Sequence, residues 1–197
     1  MTPHIPRSTK TAHDLAAAVI RLLCAANQTV GVAESLTAGL VMSELASVPG
    51  ASGAFRGGVV TYASPLKQTL LGVDAGLMAR EGVVHPEVAE QMAAGARRAT
   101  GFPAAAAAGE DASAATTWGV GTTGVAGPDP QDGKPVGTVY IGIASPAGTK
   151  AWGPFKFPGA GERVREATVL EALARLRDAL EEDADERERA RVDGQEA

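Results

Sequence analysis

One cysteine, Cys24, stands in the 197 residues. A lone thiol excludes an internal disulfide framework and any cysteine-cluster metal site. Histidine is nearly as scarce. His4, His13 and His85 lie far apart with no metal-ligand spacing, so neither a metal nor a cofactor is expected. Aromatic residues make up only 4%, which leaves the core to small and aliphatic side chains packed closely. There is no excess of positive charge: 18 Lys and Arg face 23 Asp and Glu, a net charge of −5. A globally basic nucleic-acid footprint is thereby excluded. No apolar run reaches the roughly 18 residues that a membrane span requires. Residues 1–10 are polar, carry two prolines and lack the apolar stretch of a secretory signal. These absences predict a cytoplasmic protein with neither a nucleic-acid nor a membrane partner.

What is present suits one globular domain: 45% hydrophobic residues, 21% charged residues and 24 glycines. We expect a flexible leader over 1–10, a single domain over 11–182 and a charged tail over 183–197, either a frayed helix or disordered. Apolar spacing predicts a helix over about 12–26, opened by a weak capping box of Thr11 and Asp14. A buried strand over 29–33 follows, then a Ser/Thr/Gly turn and a helix over 40–48. Residues 57–62 read as a strand. Ser64-Pro65 opens a short helix closed by Gly72. His85-Pro86 opens another that ends near Thr100. Residues 101–117 are an Ala-rich connection. A short strand over 118–121 leads into a loop over 122–135. Two strands, 136–144 and 150–157, form a hairpin through a turn of more than two residues. A last amphipathic helix carries Val164, Thr168, Leu173, Leu176 and Leu180. The alternation predicts an α/β fold, a three-layer sandwich with a mixed β-sheet covered by helices.

Three segments can carry chemistry. Ser35, in Ala33-Glu34-Ser35-Leu36-Thr37-Ala38-Gly39, sits at a strand-to-helix turn. Free N–H groups there can stabilise an oxyanion or hold a phosphate; equally, Ser35 or Thr37 can be a plain N-cap. Lys67, in Tyr62-Ala63-Ser64-Pro65-Leu66-Lys67, lies on a short helix five residues past a strand end. It can reach back as the base of a Ser-Lys pair, or it can be an ordinary solvated lysine. Gly119 to Pro128 contains G-x-G-x-x-G, but Val-Ala-Gly-Pro-Asp-Pro follows and cannot open a helix, so the dinucleotide reading fails. Its backbone can still form an anion-binding nest, or serve as a connection. Asp129 and Asp132 read as turn formers, and His85 as a cap.

Taken in order, VAESLTAGL, SVPGASGAFRGGVVTYASPLKQTLLGV, GVVHPEVAEQMAAGAR and TGVAGPDPQDGKPVGTVYIGIA resemble the CinA C-terminal domain family over about residues 12–180. That family includes nicotinamide-nucleotide amidohydrolases. The resemblance implies a metal-free hydrolase that converts nicotinamide mononucleotide (NMN) to nicotinate mononucleotide and ammonia. Its small-molecule partner is thus a pyridine mononucleotide. It implies Ser35, Tyr62 and Lys67 as catalytic residues: Ser35 the nucleophile, and Lys67 the base, neutral or sharing its proton through Tyr62. It further implies substrate contacts from Glu34, Thr37, Gly39, Thr123, Gly124, Ala126, Gly127 and Arg165. The sequence departs from the family pattern in three places. Ala38 replaces the first of two glycines, Gly159-Ala160-Gly161 replaces Gly-Asp-Arg, and residues 103–116 look inserted. Arg163 lies close enough to replace the missing arginine. The alternative reading is a pyridine-nucleotide-binding or regulatory module with little or no turnover. A stand-alone domain that forms a homo-oligomer is expected.

Overall fold

The computed structural model describes residues 10–101 and 115–194. The leader over 1–9 and most of the Ala-rich connection lie outside the described residues. Five strands form one mixed sheet: β1 (Val30–Glu34), β2 (Phe55–Val60), β3 (Trp118–Gly124), β4 (Thr138–Ser145) and β5 (Gly148–Lys156). Their spatial order is β2-β1-β3-β4-β5. β1 lies parallel to both neighbours, while β3-β4 and β4-β5 are antiparallel. The expected α/β fold with a mixed sheet is what the chain adopts.

Alternation along each strand gives the two faces different characters. Val30, Val32, Val120, Ile141 and Ile143 point to one side. There they join Leu15, Val19 and Leu23 of α1 (Ala12–Ala25), Val41 and Leu45 of α2 (Leu40–Ala46), and Leu173 and Leu176 of α6 (Glu162–Asp193) in the main core. The opposite face is nearly bare. Its rungs read Gly31–Gly119–Ala144 and Ala33–Gly121–Gly142–Ala151 across the sheet. On it lies α5 (Pro86–Ala99), so close that a Cβ on Gly119 would meet the Ala93 carbonyl, and one on Gly121 or Gly142 the Ala89 carbonyl. Two short helices, α3 (Ser64–Leu71) and α4 (Ala75–Glu81), flank α5, and Leu71, Leu77, Val88 and Met92 form a second core there. The layers are thus helix, sheet, helix. No helix of the described residues is long and apolar enough to cross a membrane.

Two local expectations need correction, and one helix, α4, was not anticipated. β3 continues through Thr122–Gly124, which read as loop, because these polar and glycine residues pair with β1 or β4. The hairpin turn has two residues, since Ser145 pairs with Gly148. α4 carried no apolar stripe; Leu77 is its one buried side chain, and Asp74 caps it by accepting from the Leu77 N–H. Of the two states expected for the segment from 183, the helical one holds: it continues α6 to Asp193. Ion pairs such as Arg187–Asp183 and Arg191–Glu188 support its solvated turns. The capping box at Thr11 and the His85 cap are both present.

Candidate active site

The site grows from the carboxyl ends of the parallel strands β1 and β3, where open α/β sheets hold ligands. The chain leaves β1 at Glu34, whose wholly buried carboxylate accepts hydrogen bonds from the backbone N–H groups of Gly39, Val41 and Met42. This bends the chain through Ser35–Gly39 and caps α2, which has no side-chain cap of its own. Ser35 is held at the apex, its N–H donating to the Thr122 carbonyl on β3. Thr37 is wholly buried, its hydroxyl 2.8 Å from that of Thr122. The N–H groups of Leu36 and Thr37 meet no acceptor among the described residues. They are the orphan donors that a strand-to-helix turn leaves available.

From the other side, α3 brings Lys67 back over the sheet end. Its side chain is 1% exposed, and Nζ lies 3.0 Å from Ser35 Oγ and donates to the Thr61 carbonyl at 2.6 Å. Among the described residues no carboxylate partners it. Burial alone therefore lowers its pKa from 10.5 to about 8. The structure thus brings together two residues 32 positions apart in the sequence.

A cavity of about 310 Å³ opens beside this pair. Ser35, Leu36, Tyr62, Lys67, Thr123 and Asp129 line it, together with residues 124–128. Tyr62 stands at the mouth, 67% exposed, and forms no hydrogen bond with Lys67. Thr123 contributes to the wall, but its hydroxyl is committed to the Val83 carbonyl at 2.7 Å. Gly127 has φ +93°, and a Cβ there would crowd Val136. The loop is tied to the start of α6, where the Gly161 N–H donates to the Ala126 carbonyl at 2.7 Å.

Not every expected contact residue reaches the cavity. Glu34 and Thr37 are buried and spend their oxygens on backbone and on Thr122. Gly39 supplies the left-handed entry to α2, at φ +100°. Arg165, in the second turn of α6, does not line the cavity, nor does Arg163. Asp129, read as a turn former, does line it. Its place directly after the Gly-x-Ala-Gly-Pro stretch was the available signal. No cluster of metal-ligating groups occurs among the described residues.

A family model of the CinA C-terminal domain matches residues 12–180. A CinA-like protein of Frankia casuarinae is 46% identical over 159 residues, covering 81% of this chain and 33% of its own. The chain thus spans about a third of the length of that relative, and likewise of an Anaeromyxobacter CinA-like protein that is 42% identical. Among solved structures, the competence/damage inducible protein CihA of Agrobacterium tumefaciens superposes with a TM-score of 0.74 at 30% identity, covering 86% of this chain and 95% of that one. A competence-damaged protein (CinA) superfamily member from Enterobacter cloacae gives 0.76 at 25% identity, with coverages of 91% and 98%.

Proposed function

From the premise that the chain belongs to the CinA C-terminal domain family, we propose that it is an amidohydrolase that deamidates NMN to nicotinate mononucleotide and ammonia. The observation that carries this reading is the 3.0 Å approach of buried Lys67 Nζ to Ser35 Oγ. A serine is a weak nucleophile without an adjacent base, and an ammonium cannot be that base. With a pKa near 8, about one Lys67 in ten is neutral at pH 7. The neutral amine keeps one N–H on the Thr61 carbonyl, which turns its lone pair toward Ser35.

Ser35 Oγ then attacks the carboxamide carbon as its proton passes to Lys67. The oxygen that gains charge is received by the free N–H of Leu36, which lines the cavity beside Ser35. Lys67 returns the proton to the departing nitrogen, ammonia leaves, and an ester to Ser35 remains. A water activated by the same amine hydrolyses the ester, releasing the carboxylate and restoring Ser35. Tyr62 offers its ring at the mouth to a flat heterocycle, and the 124–127 backbone forms the wall beside it. Tyr62 is therefore assigned to binding rather than to proton transfer.

Ammonia release from NMN by the purified chain tests this reading. Ser35→Ala and Lys67→Met should each lower kcat and kcat/KM together, by at least ~1000-fold. Near-normal turnover in either variant overturns the mechanism. One observation favours the second reading, a binding module: no arginine among the described residues lines the cavity. Thermal stabilisation by NMN without any ammonia would identify that case.

A further inference from the structure

The chemistry above occupies the floor of the cavity, whereas its mouth carries Tyr62, which serves binding alone, and Asp129, which has had no task so far. Among the described residues that line the cavity, Asp129 is the only carboxylate and Tyr62 supplies the only aromatic ring. Lys67, the one cation among them, is 1% exposed at the floor. No ion pair engages Asp129 among the described residues.

Asp129 is also held in place. It lies between Pro128 and Pro130, whose rings restrict the backbone on both sides. The stretch is anchored before and after it. The Ala126 carbonyl accepts from the Gly161 N–H, the Asp132 carboxylate accepts from the Val83 N–H at 2.9 Å, and Lys134 Nζ donates to the Glu81 carbonyl at 3.0 Å. A carboxylate on an anchored stretch of backbone and an exposed ring that line one cavity, with Val83 and Val125 in its wall, match a flat cation. They offer nothing comparable to a flat neutral molecule of the same shape.

We propose that Asp129 is a specificity-determining residue that selects positively charged, N-substituted pyridinium carboxamides over their uncharged counterparts. Substitution at the ring nitrogen gives the heterocycle a permanent positive charge, which free nicotinamide lacks at neutral pH. Selection between them then rests on the charge of the ring and not only on the sugar or phosphate attached to it. The carboxamide part of this inference rests on the deamidase reading; the preference for charge does not.

The probes are 1-methylnicotinamide and nicotinamide, which differ by one methyl group and one charge. Their affinities are measured by calorimetry in the Ser35→Ala background, with thermal melts to confirm folding. The charged probe should bind at least ~10-fold more tightly, and the ratio should shrink between 20 and 500 mM salt as screening sets in, by roughly the Debye-length argument. Asp129→Asn, nearly isosteric, should bring the ratio to within about 2-fold by weakening only the charged probe. A ratio that survives Asp129→Asn, or no preference in its presence, overturns the proposal. So does the failure of both probes to bind at millimolar concentration. Ammonia release from NMN by the unsubstituted chain is read separately. Ammonia without a charge preference sinks this proposal and leaves the deamidase reading standing; a charge preference without ammonia does the reverse.

Discussion

Lys67 weakens the fold in which it is buried. Its folded pKa of about 8 lies below the ordinary 10.5, so between those values the folded chain holds fewer protons than the unfolded one. Stability therefore rises as pH climbs from 8 toward 10.5. Below 8 the full penalty of burying the ammonium is present, about 3 kcal/mol. Lys67→Met should accordingly be more stable than the natural chain at pH 7, by up to ~3 kcal/mol less the lost hydrogen bond to Thr61. It should also lose the rise in stability between pH 8 and 10; urea unfolding at pH 7 and pH 9 reads both. For activity, kcat/KM on NMN should climb about tenfold per pH unit up to about 8 and then level. A profile flat from pH 6 to 9 would remove Lys67 as the base. In the turn that follows Ser35, exposed Ala38 sits at φ +52°, a conformation that costs a non-glycine residue about 1–2 kcal/mol. Ala38→Gly should stabilise the chain by roughly 0.5–1 kcal/mol after the entropy of glycine is deducted, measured as a rise in Tm.

Among the elements, α2 depends most on a group outside itself. Seven residues are too few to hold a helix in isolation, and its N-cap, Gly39, has no side chain to offer. Glu34 on β1 fills that place with three backbone donors. Glu34→Gln keeps one acceptor oxygen but loses the charge and turns an amide N–H₂ toward the remaining donors. Its expected cost is about 1–3 kcal/mol, with ammonia release falling as the Ser35 turn loosens. Retained stability and turnover would show the cap to be dispensable. Elements with an apolar stripe were legible in the sequence: α1, α5, the apolar part of α6 and both hairpin strands fall where periodicity put them, within two residues. What was not legible shares a cause. Thr122–Gly124 is strand by virtue of its partners on β1 and β4 and has no apolar residue to announce it. The helical extension over 183–193 rests on charge spacing alone. Ending the chain after Asp183, which bonds Gln28, should shift Tm by no more than about 2 °C, since exposed ion pairs contribute little.

Across the whole molecule, the 24 glycines divide by task in a way that composition could not show. Of the glycines expected at the substrate, Gly124 and Gly127 line the cavity and Gly39 does not. Gly31, Gly119, Gly121 and Gly142 instead let α5 rest on the sheet without an intervening layer of side chains. The site was legible as local motifs. The meeting of Ser35 with Lys67 could be guessed from helix direction, whereas the real tasks of Glu34 and Thr37 required the strand neighbours that only folding supplies. Gly121→Ala places a Cβ 2.5 Å from the Ala89 carbonyl oxygen, and neither backbone can move far. We expect a loss of at least about 3 kcal/mol, seen as a large fall in Tm or in soluble yield. The same bed governs how the sequence can drift over generations. In a library of all single substitutions, these four positions should tolerate nothing but glycine, although none of them lines the cavity. A reader who took intolerance as the mark of catalysis would place the active centre under α5, one layer away from Ser35.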